Sequence, residues 1–94
     1  MSDYVVQDNA AEHRFELIVD GEVGALASYR ERDGALVIMH TETAPEMRGR
    51  GLAGELARQT LDQLRDRGSR VVPSCPFFSH YIAEHPEYAD LVAR

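Results

Sequence analysis

Ninety-four residues, 44% of them apolar, suit one globular domain spanning residues 1–94 and leave no room for a second. The net charge of −6 argues against nucleic acid as the main partner, because a phosphate backbone demands a basic face, and it favours cationic substrates such as amines. All ten basic residues are arginine, which removes lysine Schiff-base chemistry and the lysine of a Walker phosphate loop.

In chain order, Tyr4 to Gln7 is read as either an edge strand or a frayed end. Arg14 to Val19 alternates as a strand, with Phe15, Leu17 and Val19 on one face. Asp20-Gly21 is a hairpin signal, and a second strand from Glu22 to Arg30 carries Gly24, Ala25 and Ala27, small residues that imply close packing. Asp33-Gly34 repeats the signal before a third strand, Ala35 to Thr43, whose run Leu36-Val37-Ile38-Met39 is expected to lie centrally. Pro45 closes that strand. From Gly51 to about Arg67 the apolar residues fall at 52, 53, 56, 57, 60, 61 and 64, a helical spacing that leaves Glu55, Arg58, Gln59, Asp62, Gln63 and Arg65 on the wet face. Gly68 is a helix C-cap, Arg70 to Pro73 a short strand, and Phe77 to Glu84 a short helix. His85-Pro86 interrupts it before one more helical turn, Glu87 to Val92. The expected fold is α+β: an antiparallel β-meander, then a right-handed β-α-β crossover giving one parallel pair, then a short C-terminal helix.

No apolar run approaches the roughly 20 residues of a membrane span, and nothing near Met1 reads as a targeting segment. The single cysteine, Cys75, rules out an internal disulfide and fits a reducing compartment. The expectation is a cytoplasmic protein with no membrane and no nucleic-acid partner. No metal is expected, since His13, His40, His80, His85 and Cys75 show no ligand spacing.

The stretch Met47 to Ala53, basic and glycine-punctuated, joins the third strand to the long helix. Glycines let a backbone approach a phosphate closely, and the free N–H groups and dipole of a helix's first turn favour its charge. The turn is therefore read as a pyrophosphate site. A plain helix start with solvated arginines is the alternative reading.

Arg48-Gly49-Arg50-Gly51-Leu52-Ala53 resembles the R/Q-x-x-G-x-G/A signature of the GNAT N-acetyltransferase superfamily, with Arg48, Gly51 and Ala53 at its fixed positions. Arg14 to Leu17, His40-Thr41-Glu42, Val72 to Phe77 and His85 to Tyr88 extend the likeness to the very small single-domain GNAT-like proteins, over nearly the whole chain. That resemblance implies a minimal acetyltransferase fold whose parallel pair is splayed for coenzyme A. It implies acetyl-CoA as cosubstrate, with the pyrophosphate against the backbone of Arg48, Gly49, Arg50, Gly51, Leu52 and Ala53 and the pantetheine along Thr41, Glu42 and Thr43.

Acetylating an amine needs a base for the acceptor's proton and often an acid for the departing thiolate. His40 and Glu42 lie two apart on a strand, share a face, and are candidate bases directly or through a water. Tyr81 is the candidate acid, by its place one short helix past the next strand in GNAT proteins. Cys75 is a candidate acetyl carrier, activated by His80 or His40. Each has a bland reading as well: a strand-end carboxylate, a satisfied sheet histidine, a core tyrosine, a buried apolar thiol.

Asp20-Gly21 stands where GNAT domains carry helices, and the chain ends soon after Tyr88, so the walls of an acceptor pocket are largely missing. An open site suits a large acceptor such as a protein surface, or completion by a second subunit as a homodimer. The expected function is acetyl transfer from acetyl-CoA to an amine of unidentified identity. The competing expectations are a non-catalytic acyl-CoA sensor or adaptor, and an interaction domain that binds no cofactor.

Overall fold

The computed structural model describes residues 4–93. The strands are β1 (Val5–Asn9), β2 (Arg14–Val19), β3 (Glu22–Arg32), β4 (Ala35–Thr43) and β5 (Arg70–Pro73), and the helices are α1 (Leu52–Asp66) and α2 (Pro76–Glu84). Short 3-10 turns cover Ala10–Glu12, Pro45–Met47 and Pro86–Leu91. The sheet runs β1-β2-β3-β4-β5, antiparallel except for the β4/β5 pair. The architecture is thus the α+β meander and crossover expected, with β1 added as a true edge strand. β3, not β4, is the middle strand.

Both hairpins follow from their Asp-Gly turns. Asp20, Gly21, Asp33 and Gly34 all have positive φ, the geometry whose twist matches that of the flanking strands. Two bulges then adjust the meander. Gly24 is skipped in the β2/β3 register, and a side chain there would strike Val19, Leu52 and Met47. Met39 is skipped in the β3/β4 register, between the pairs Ser28–His40 and Tyr29–Ile38.

Phe15, Leu17, Val19, Ile38 and Val71 face the helices and are fully buried with Leu56, Leu61, Leu64 and Phe78. Each such side chain contributes roughly 1.5–3 kcal/mol by leaving water. All the helical layer lies on this one face, where α1 packs across all five strands. Val37, His40 and Glu42 stand outside that core cluster, on a face that no described element covers.

The helix spacing holds, but its wet face needs correction. Gln59 and Gln63 clamp β1: Gln59 Oε1 accepts from the Val6 N–H at 3.1 Å, and Gln63 Nε2 donates to the Val6 carbonyl at 2.8 Å. Gln59 Nε2 also donates to the Tyr4 carbonyl at 3.0 Å. The outer edge of the sheet thus finds its hydrogen bonds on α1 instead of in water, which blunts it against pairing with another chain.

Candidate functional site

The site begins where β5 stops. Beside β4, β5 pairs only from Arg70 to Pro73, opposite Ala35 to Ile38. Pro73 has no N–H to carry the ladder further. The Ser74 N–H turns back to the Val72 carbonyl at 3.0 Å, and the Cys75 N–H makes a last bond to the Ile38 carbonyl at 2.9 Å. Pro76 then opens α2 and leads the chain away. From Met39 to Thr43, β4 keeps β3 on one side and has no strand on the other.

Because the Ala44 N–H donates to Gly24 of β3, backbone alternation turns the N–H and C=O groups of Thr41 and Thr43 to this open edge. A cleft of about 610 Å³ fills the splay. One wall is Thr41, Glu42 and Thr43 of β4. Its floor is Pro45, Arg48, Gly49 and Gly51, and the first turn of α1 follows with Leu52, Ala53 and Gly54. Phe77 of α2, 37% exposed, closes the far side.

Gly49 and Gly51 have φ of 84° and 72°, the left-handed region that side chains disfavour, so the turn needs glycine for its shape. Gly54 is different. It lies within the helix, its φ is ordinary, and a Cβ built there would meet no protein atom within 4 Å. The fold gives no reason for glycine at 54; close approach of a ligand to the first helical turn would. No side chain caps that turn, so its leading N–H groups are free to bind an anion. Arg48 lines the cleft and makes no ion pair among the described residues.

Eight of the nine residues expected to hold the cofactor line this cleft. Arg50 is the ninth; its guanidinium donates to the Tyr4 hydroxyl at 3.2 Å and lies 6.0 Å over that ring. The catalytic candidates are more scattered. His40 and Glu42 come together, Nε2 to Oε2 at 3.3 Å, on the uncovered face and both more than 60% exposed. Cys75 is buried at the apex of the splay, and its Sγ is 3.1 Å from Thr41 Oγ1. His80 is exposed and its Nε2 lies 3.2 Å from Glu84 Oε1. Tyr81 does not line the cleft. Its ring stacks on His85 at 4.0 Å between centroids, because His85 Nδ1 bonds the Tyr81 carbonyl. Burial pushes the Tyr81 hydroxyl above its ordinary value, with Glu87, Asp62 and Glu55 adding to the rise and Arg58 opposing it.

The sequence pattern of the family described as GCN5-related N-acetyltransferase matches residues 14–91. The chain belongs to that family. The match runs from β2 to the final 3-10 turn and so takes in every wall of the cleft. Family members are transferases that generally use acetyl-CoA. The solution structure of a GCN5-like candidate N-acetyltransferase from Staphylococcus aureus superposes with a TM-score of 0.70, covering 99% of this chain and 91% of that one. Its identity is 23%, so the likeness concerns the fold. No curated protein matches this chain.

Gly54, Pro45 and Phe77 are the cleft residues that the sequence reading passed over. For Gly54 a signal existed: a glycine inside a strong helical pattern, where it costs about 0.5–1 kcal/mol relative to alanine. Phe77 carried none, since an aromatic residue at the start of an amphipathic helix looks like core.

Proposed function

We propose that this chain binds acetyl-CoA in the splay between β4 and β5 and transfers the acetyl group to an amine. One observation carries the reading: a free strand edge and an uncapped, glycine-lined helix start face the same cleft. The strand edge suits the amides of pantetheine, and the helix start with Arg48 suits a pyrophosphate. The spare room at Gly54 supports the fit, since it leaves the phosphates a path to the backbone.

Acetyl-CoA supplies the thioester, whose C–S bond breaks as the acceptor nitrogen forms the amide, releasing coenzyme A as a thiol and requiring one proton to leave the amine. His40 is the base for that proton, and Glu42, 3.3 Å away, steadies the resulting imidazolium. With both groups exposed, the ion pair contributes only about 0.2–1 kcal/mol, so its main service is orientation. Direct transfer is favoured over an acetyl-Cys75 intermediate. The side-chain partner of the thiol is the Thr41 hydroxyl, which is no base, and burial at the apex keeps Cys75 from solvent. Tyr81 keeps its proton and stands outside the cleft, so it is not assigned as the acid.

Calorimetric titration with acetyl-CoA, followed by the intact mass of the recovered protein, tests the reading. Saturable binding with unchanged mass is expected, and thiol release should then appear when amines are added. Absence of binding would overturn the proposal. An added acetyl group on Cys75 would replace direct transfer by the two-step route.

A further inference from the structure

The uncovered face of the sheet holds a second groove, of about 440 Å³, that starts at the apex of the splay. Ser74, the residue before Cys75, stands at its near end, and Val37 and Val72, paired across β4 and β5, make its apolar floor. Arg30 and Arg32 of β3 rise beside that floor, opposite Val37 and Ala35 in the register. Neither guanidinium has an ion pair or hydrogen bond among the described residues, although the chain carries an excess of carboxylates. Asp33 lies in the same lining and offsets part of their charge, leaving one net positive charge among the described lining residues. His40 and Glu42 share this face, on the other side of the Met39 bulge.

We infer that this groove is the acceptor site and that it takes a small primary amine bearing a carboxylate. The inference rests on the acetyltransferase reading of the cleft. Two adjacent unpaired guanidiniums present donors suited to a carboxylate. From Ala35 to Ile38 the strand advances about 10 Å. An amine joined to its carboxylate by three to five methylenes is roughly 5–8 Å long, and the length of an arginine side chain makes up the difference between the guanidiniums and the apex. The groove's volume of about 440 Å³ falls in the range of small-molecule pockets. The acceptor's nitrogen would form the amide as the thioester C–S bond breaks, with its proton passing to His40 on the same face. The chain would thus take its two substrates from opposite faces of one sheet, meeting where β4 and β5 part.

The test is an amide-resolved NMR titration of the full chain without acetyl-CoA, using 4-aminobutyrate and 6-aminohexanoate against butylamine and hexylamine. The amino acids should shift the amides of Arg30, Arg32, Val37, Val72 and Ser74, and the plain amines should not. In the Arg30→Gln/Arg32→Gln double variant, affinity for the amino acids should fall by about tenfold to a hundredfold. Equal shifts from amine and amino acid, silence in the groove, or undiminished affinity in the double variant would each overturn the inference. Turnover with acetyl-CoA separates the two proposals. Transfer to plain amines with a silent groove keeps the transferase reading and sinks this one. A groove that binds amino acids while no amine is ever acetylated sinks the acceptor role through the transferase reading.

Discussion

β4 is one strand with two fates. Its first half, Ala35 to Ile38, lies between β3 and β5 with all four residues buried, although only Leu36 and Ile38 belong to the core under the helices. Its second half, Met39 to Thr43, keeps one neighbour, turns polar and exposes His40 and Glu42. What separates them is the end of β5. A proline that cannot donate, a turn at Ser74 and a helix led off by Pro76 withdraw the neighbouring strand after four residues. The lower half holds the molecule together, and the upper half is a backbone edge awaiting a partner. The cleft here is a strand pairing left unfinished, and the bulge at Met39 marks the changeover.

That contrast can be broken first at its hinge. Ile38 is fully buried, and its carbonyl takes the last bond from the Cys75 N–H. Ile38→Ala should cost about 2–5 kcal/mol in urea unfolding. A loss below about 1 kcal/mol would mean the zipped half is not what supports the splay. The next largest effect belongs to the upper half. Gly51→Glu should leave a cooperatively folding protein, weakened by about 1–3 kcal/mol through its left-handed φ. Its affinity for acetyl-CoA should drop about a hundredfold or more, as a carboxylate meets the phosphates. Undiminished binding in a calorimeter would end the phosphate assignment.

Away from the cleft, the uncovered face has its own polar anchor. Glu16 is 3% exposed and accepts from Gln7, Asn9 and Arg14 at 3.0, 3.1 and 2.6 Å. Burial pushes its carboxyl up, but the three hydrogen bonds outweigh it and hold the group below its ordinary value of 4.5. A depressed folded value means that the stability Glu16 contributes is complete above pH 4.5 and is lost as pH falls through that lower value. Glu16→Gln should cost about 1–3 kcal/mol at neutral pH and flatten the acid limb of the stability profile. If the wild type and the variant lose stability in parallel below pH 4.5, the carboxylate is not the anchor.

The same contrast explains how much was legible in the sequence. β2, β3 and β4 announce themselves by alternation and by Asp-Gly turns, and α1 by its apolar spacing, because those signals are local. β1 was ambiguous because its security comes from Gln59 and Gln63, more than fifty residues away, which local pattern reads as solvated. The glycine turn leading into α1 was legible for the reason that β2 was legible as a strand: its signal is local. The pairing of His40 with Glu42 followed from strand alternation alone. Tyr81 was not placeable, since its position depends on the stack with His85 and on the angle at which α2 leaves the sheet. The groove at Arg30 and Arg32 was invisible for a related reason. Its walls come from β3, β4 and β5, and only the folded register sets them side by side.

The smallest predicted effect is the sharpest test of the upper half. Gly54 occupies the first turn of α1 with free space around it, so Gly54→Ala introduces no clash with the protein. By helix propensity alone the change should stabilise the fold by about 0.5–1 kcal/mol, seen as a higher melting temperature. If the pyrophosphate rests on that turn, the added methyl intrudes between ligand and backbone, and acetyl-CoA affinity should fall while stability rises. Most substitutions lower both quantities together, so opposite signs are hard to produce by general damage. A stabilised variant that binds acetyl-CoA as well as the wild type would show that the ligand does not use the first turn of α1. The glycine would then need another cause, and the free edge of β4 would have to hold the cofactor without it.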